Sequence, residues 1–328
     1  MTLSSNNLFN YATSELSQDA FICWLLSFAR RENEKIDPTL TTCARKFLQA
    51  VMPDTLPLAD IEVTDIVKQY KHIDILVEIN KKWHIIIEDK VFTGEHDAQI
   101  STYKKAIIEE YRSDAVSTVY YKIVEESAGN DADYVFNRTD LLKLFIPCKA
   151  QTTNQIFQDY VEYLEWIDAE TKSWKTKDMT TWKDMQYRGF FSTLAKERTA
   201  GWGYVANKSG GFWGFWWYWW NQENLSNPDF PTDIREVYLQ LENNYIVVKV
   251  SKAKNGDENK IQDFKWHLFK QMKAELQALD KDVDYQKSRF KQGEYMSVGS
   301  IAYDLQNYKA RMSLMEKALQ NVLKRGAE

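Results

Sequence analysis

The chain has 328 residues and a mass of 38.6 kDa, with 42 basic and 47 acidic side chains and a formal net charge of −5. At 44% hydrophobic and 27% charged residues it is neither a disordered nor a collagen-like chain, and its length suits about two domains that each bury a core. A pI near 5.6 excludes a uniformly positive surface but leaves room for a local basic groove. In chain order, residues 14–30 place Phe21, Ile22, Leu25, Leu26 and Phe28 close to helical period and predict a buried amphipathic helix. Residues 40–52 predict a second helix, ended by Pro53. From 59 the period shortens. Ile61, Val63 and Ile66 predict one strand, Ile73–Ile79 a second and Trp83–Glu88 a third, with Asn80-Lys81-Lys82 as the turn between the last two. The unbroken apolar run of the third strand suits a sheet covered on both faces. Gly94 breaks the next loop, Asp97 is placed to cap a helix running to Tyr111, and Val116–Val124 reads as a fourth strand. Helix, three strands, helix, strand predicts an α/β core with helices packed on a sheet.

Residues 153–200 read as helices, with Thr171–Lys183 a polar link between them. From Gly201 the character changes. Residues 201–205, 212–220, 235–241 and 245–250 read as antiparallel strands, followed by a helix near 257–279, a strand near 290–303 and a last helix near 306–325. These patterns predict two domains, 1–200 and 201–328, the second an α+β region with an aromatic-rich antiparallel sheet.

Targeting signals are not expected. The first apolar run, Ala20–Ala29, follows Glu15 and Asp19 rather than positive charge, and the uncharged window Ser209–Gln222 is only 14 residues long, too short to span a bilayer. The cysteines, Cys23, Cys43 and Cys148, are odd in number and far apart, which predicts neither a disulfide framework nor a zinc ribbon and points to a reducing, cytoplasmic setting without membrane contact. The four histidines include no His-x-x-x-His pair; His96 lies near the motif described next in sequence, where a surface loop is expected. There is no Walker loop, no Gly-x-Gly-x-x-Gly and no Gly-x-Ser-x-Gly.

The sharpest signal is Asp74 with Glu88-Asp89-Lys90. Alternate residues of a strand share a face, so Glu88 and Lys90 point one way and Asp89 the other. If the second and third strands pair, Asp74 joins them, and two carboxylates and an ammonium converge amid Ile73, Ile75, Ile85, Ile86 and Ile87. Burying such charges is costly without compensation. A Mg²⁺ ion, with Mn²⁺ as a substitute, supplies the missing positive charge and takes oxygen ligands. It can also acidify water and neutralise charge on a phosphate, as phosphodiester hydrolysis requires.

Hydrophobic-Asp-hydrophobic, a turn, then aliphatics ending in Glu-x-Lys resembles the PD-(D/E)XK nuclease superfamily. Gln99 and Tyr103, four residues apart on the next helix, are similar to the Gln-x-x-x-Tyr arrangement of several branches. Glu15-Leu16 with Phe21, Trp24, Leu25 and Leu26 resembles the Glu-bearing first helix of a prokaryotic stand-alone branch. The likeness covers residues 8–125. It implies a restriction-endonuclease-like core, a mixed central sheet flanked by helices, and a metal-dependent nuclease acting on DNA, with RNA as the alternative substrate. By the same resemblance Asp74, Glu88 and the carbonyl of Asp89 would bind Mg²⁺, Glu15 would be an outer or second-metal ligand, Lys90 would hold the nucleophilic water or the transition-state charge, and Gln99 would orient the site or contact a phosphate. The motif's leading Pro is absent; His72-Ile73 stands before Asp74. Defence against foreign DNA and DNA processing are both compatible roles, and a homo-oligomer is left open.

The remaining oddity is Phe212–Trp220, which belongs to a stretch holding six of the twelve tryptophans. A strand of this composition has aromatic residues on both faces. They either build the core of a second sheet or form an exposed platform on which bases stack or a glycan binds, with Lys208, Trp213 and Trp217 as the candidate substrate contacts and Tyr103 as a fourth. Residues 1–150 carry a net charge of −6 and residues 151–328 one of +1, and Lys196, Arg198, Lys252, Lys254, Lys287, Arg289 and Lys291 are local basic groups in the second half. The competing function is a non-catalytic nucleic-acid or partner-binding protein that keeps the nuclease fold as a scaffold and binds through the Trp-rich region.

Overall fold

A computed structural model describes residues 3–52, 56–92, 99–127, 129–207, 210–221, 223 and 230–325. Pro53, Gly94, His96, Asp97 and Lys208 therefore lie outside the described residues. The chain divides into two compact units, Met1–Ser173 and Trp174–Glu328. The boundary expected near 200 falls instead at 173/174, because the helix Asp184–Ala195 buries Phe190, Phe191 and Leu194 in the second core, together with Trp174 and Trp182. No helix among the described residues is long and apolar enough to cross a membrane.

The first unit is built on a five-stranded sheet of β1 (Val63–Tyr70), β2 (Ile73–Ile79), β3 (Trp83–Lys90), β4 (Val116–Lys122) and β5 (Tyr134–Asn137), in that spatial order. β1–β2 and β2–β3 are antiparallel, whereas β3–β4 and β4–β5 are parallel, so the sheet is mixed. Both hairpins close through pairs of left-handed residues, Lys71-His72 and Asn80-Lys81, with φ between 51° and 73°. Two consecutive positive φ angles match the twist of a tight hairpin, and they lock the β2–β3 register at Ile75 opposite Ile87.

All eight residues of β3 are buried, as its apolar run requires of a central strand. The helices are α1 (Glu15–Ser27), α2 (Pro38–Ala50), α3 (Gln99–Tyr111), α4 (Arg138–Lys149) and α5 (Gln155–Lys172). Ser14 caps α1 by accepting from the Ser17 N–H, and Asp37 caps α2 ahead of Pro38. Ile107 of α3 packs with Ile73, Leu76, Ile86 and Val116 on one face of the sheet. β5 and α4 lie in a stretch where the periodicity predicted no element. β5 is only four residues long, and α4 carries Pro147 near its end.

The second unit holds an antiparallel six-stranded sheet. Its strands are β6 (Ala200–Val205), β7 (Phe212–Trp220), β8 (Ile234–Glu242), β9 (Tyr245–Lys252), β10 (Gln286–Lys287) and β11 (Tyr295–Ala302), in the order β10-β11-β9-β8-β7-β6. Its helices are α6 (Asp184–Ala195), α7 (Glu258–Leu279) and α8 (Tyr308–Arg325), and Leu268, Met272, Met312 and Met315 from the last two join the core.

β7 resolves the aromatic question by alternation. Trp213, Phe215 and Trp217 face the core, while Phe212 and Trp216 on the other face are half-buried. The glycines of β6 make room for Trp216: a Cβ on Gly201 would stand 2.2 Å from its Nε1. Its indole thus lies across backbone that side chains have vacated.

Candidate active site

The site forms where β2 and β3 continue past the Ile75–Ile87 pair. The next residues along the two strands are Asp74 and Glu88, and Lys90 follows on the face of Glu88. Lys90 Nζ lies 2.5 Å from Glu88 Oε1 and 3.5 Å from Asp74 Oδ2. The Asp89 N–H donates to Asp74 Oδ2 at 3.0 Å, which holds the carboxylate against the strand. Glu88 is fully buried, Lys90 nearly so, and Asp74 keeps 19% of its side chain exposed, so the cluster opens to solvent through Asp74. The Asp89 side chain turns to the opposite face, where Gln18 Nε2 donates to it. Gln18 accepts in turn from Tyr160, which hydrogen-bonds Tyr121. This buried network ties the end of β3 to α1, α5 and β4.

Helix α1 brings its first residues to the same place. Glu15 Oε1 accepts from the Val91 N–H at 3.1 Å, so this carboxylate is aimed at the end of β3 rather than serving only the helix dipole. Asp19, one turn further on the same helix face, is also buried. Gln69, held at a left-handed φ of 54° beside the β1–β2 turn, donates to Asp74 Oδ1 at 3.3 Å and reaches Asp19 Oδ2 at 3.5 Å. Gln99 opens α3 and donates to the Tyr103 hydroxyl at 2.6 Å. Burial raises the Tyr103 hydroxyl, and the charges of Glu88 and Asp74 raise it further, which places the Gln99–Tyr103 pair within the field of the cluster.

Asp19, Gln18 and Gln69 were missed by sequence reasoning. The signal for Asp19 was its i, i+4 spacing from Glu15. The signal for Gln69 was its place across the tight turn from Asp74. Gln18 had none, because its partner Asp89 is 71 residues away.

The electrostatics are those of a site with too much negative charge. Burial, then the neighbouring Asp74, pushes Asp19 up to about 6. Asp89 is held well above the usual carboxylate range by burial, against the Gln18 hydrogen bond and with Asp19, Asp74 and Glu15 adding to the rise. Burial pulls Lys90 down, but Glu88, Asp74 and Glu15 outweigh it, and its ammonium stays charged above its ordinary value.

Buried Asp19 Oδ1 and Asp89 Oδ2 find no hydrogen-bond donor among the described residues. Such oxygens are satisfied by a proton or a cation, and the donor set is all hard oxygen, which fits a divalent ion. Among the described residues no three carboxylates, histidines or cysteines stand close enough to form a ready-made cage. In this arrangement the Lys90 ammonium and the Asp89 amide occupy oxygens of Glu88 and Asp74.

Sequence comparison agrees with this geometry. The family model of the PD-(D/E)XK nuclease superfamily matches residues 6–208. The chain belongs to that superfamily. The match spans the whole first sheet and its helices and runs on through β6 of the second unit. Nucleases of the superfamily generally use divalent metal ions and act on nucleic acid. Neither the search of curated proteins nor that of solved structures finds a match.

Two expected substrate contacts are corrected. Trp213 and Trp217 are 6% and 2% exposed and belong to the core of the second unit. Their indole N–H groups are spent on Asp184 Oδ1 at 2.8 Å and Glu316 Oε1 at 2.7 Å, and the Arg188 guanidinium covers the Trp213 ring. A ring enclosed in this way offers no face to a base. The third expected contact, Lys208, lies outside the described residues.

Proposed function

We propose that the protein is a Mg²⁺-dependent nuclease that hydrolyses DNA phosphodiester bonds, with Mn²⁺ able to substitute. The observation that carries this reading is the meeting of Asp74, Glu88 and Lys90 at the solvent-open end of β2 and β3. In this reading Asp74, Glu88 and the Asp89 carbonyl hold the metal, and Glu15 stands as an outer ligand. The bound ion supplies acidified water and neutralises charge on the phosphate. Lys90, kept protonated by its neighbours, holds the attacking water or the phosphate as a fixed cation and does not serve as the base. Gln99 and Tyr103, hydrogen-bonded to each other, line up to position a phosphate oxygen.

The test is cleavage of plasmid and linear DNA by the purified full chain with Mg²⁺ or Mn²⁺, compared with Asp74→Ala and Lys90→Ala. Loss of cleavage in both, with unchanged circular dichroism, is expected. Equal cleavage by all three proteins refutes the reading. Metal binding has its own readout: saturation to 100 times Kd should stabilise the wild type by about 2.7 kcal/mol in thermal unfolding, and Asp74→Ala should lose most of that gain.

A further inference from the structure

We propose that the edge of the second unit around Trp266 and Phe290 is a contact surface for the phosphate backbone of duplex DNA, and it shares no residue with the carboxylate site. The nuclease reading enters only in naming the polyanion. Trp266, on α7, is 42% exposed, and Phe290 meets it edge-on with ring centroids 6.1 Å apart. Three ammonium groups gather on these two rings. Lys270 and Lys287 lie 5.0 and 4.9 Å from the centre of the Trp266 ring, and Lys265 and Lys287 lie 4.5 and 5.1 Å from that of Phe290. Lys287 thus stands within about one Debye length of each of the other two ammonium groups, which repel it.

None of the three, nor Arg289 or Lys291 beside them in the chain, forms an ion pair with a carboxylate among the described residues. Several other cations of the same unit do have carboxylate partners: Lys249 with Glu242, Lys252 with Glu258, Arg235 with Glu294, Arg198 with Glu316. The patch is also fixed in place. Lys265 is fully buried and donates to the Lys291 carbonyl at 3.2 Å, which ties the turn bearing Arg289 and Lys291 to α7. Burial pulls the Lys265 ammonium down to about 8, with Glu258 opposing the fall and Lys249 adding to it. Lys287 lies on β10, the edge strand of the sheet, and is exposed.

An edge lysine by itself guards against strand pairing. It requires neither a second lysine from a helix nor an exposed indole between the two. Ring faces offset part of the repulsion among gathered ammonium groups. A phosphate backbone offsets the rest and releases counterions as it binds.

The test is binding of the full chain to a fluorescein-labelled DNA duplex in EDTA, where no metal-dependent cleavage occurs, at salt between about 50 and 200 mM. The double variant Lys270→Ala/Lys287→Ala should weaken binding about 10-fold or more and lower the slope of log affinity against log salt by about 1.8, at 0.9 per phosphate contact. Trp266→Ala should weaken binding by a smaller factor. Lys309→Ala, which removes a cation paired with Glu197, should leave the slope unchanged. A wild type that does not bind the duplex overturns the proposal, as does a folded double variant with wild-type affinity and slope. Absent cleavage together with a salt slope that depends on Lys270 and Lys287 would refute the nuclease reading and leave this one standing.

Discussion

The two sheets solve opposite problems. The first buries charge: Glu88, Asp89, Lys90 and Asp19 all lie at 8% exposure or less, inside a shell of isoleucines. The second buries chiefly aromatic and aliphatic surface, with Arg188, Lys249, Lys265 and Glu275 as its buried charges among the described residues. A buried carboxylate cluster lowers the stability of a fold unless something compensates it, whereas buried tryptophan raises it. The first sheet therefore carries the marks of chemistry and the second those of stability, although composition alone made the tryptophans the more conspicuous feature.

That contrast can be broken by substitution. The largest effect is expected at Trp217. Trp217→Ala should cost about 3–5 kcal/mol of stability by removing a core ring and its bond to Glu316, whereas Trp216→Ala, on the other face of the same strand, should cost much less. Chemical denaturation of both variants measures the difference, and equal losses would show that β7 is not one-sided.

In the first unit the pattern should reverse. Lys90→Ala should lower the cleavage rate by about 10²–10³. The loss belongs to the reaction rather than the fold, so single-turnover kinetics, run beside the circular dichroism already described, separate the two.

A smaller effect tests the glycine bed of Trp216. Gly201→Ala places a methyl group against the indole and should destabilise by about 1–3 kcal/mol. A neutral result would mean that the ring is not held against β6.

The smallest effect has the opposite sign. Asp19 has a folded pKa of about 6 against 3.8 for the free side chain. Its contribution is fully present below pH 3.8 and is lost as pH rises through 6. In metal-free protein Asp19→Asn should therefore be more stable than wild type by about 1–2 kcal/mol at pH 8, with the difference shrinking below pH 6. Thermal unfolding of both proteins between pH 4 and 8 in EDTA checks the sign.

How much of this was legible beforehand follows from the range of the interactions. Period two in Ile73–Ile79 and the apolar run of Trp83–Glu88 are local patterns, and so the strands, their turn and the shared face of Glu88 and Lys90 were all readable. β5 and α4 were not, because a four-residue edge strand and a helix ending in Pro-Cys-Lys leave too little periodicity. The boundary was displaced for a related reason. Residues 184–195 have a helical pattern, but nothing in a helix names the core that it joins, and contact with Trp174, Trp202 and Phe215 decided it.

By itself the sequence determined the order of the strongly periodic elements, the superfamily motif and the chemical character of the site, since each depends on neighbours within a few residues or on a short spacing. Only the tertiary structure decided which groups surround that motif. Gln18 on Asp89, Gln69 between Asp19 and Asp74, and Glu15 on the Val91 amide are contacts between segments distant in sequence or across a turn. The structure also decided the fate of the tryptophans, because an alternating strand offers both faces equally and the helices cover only one.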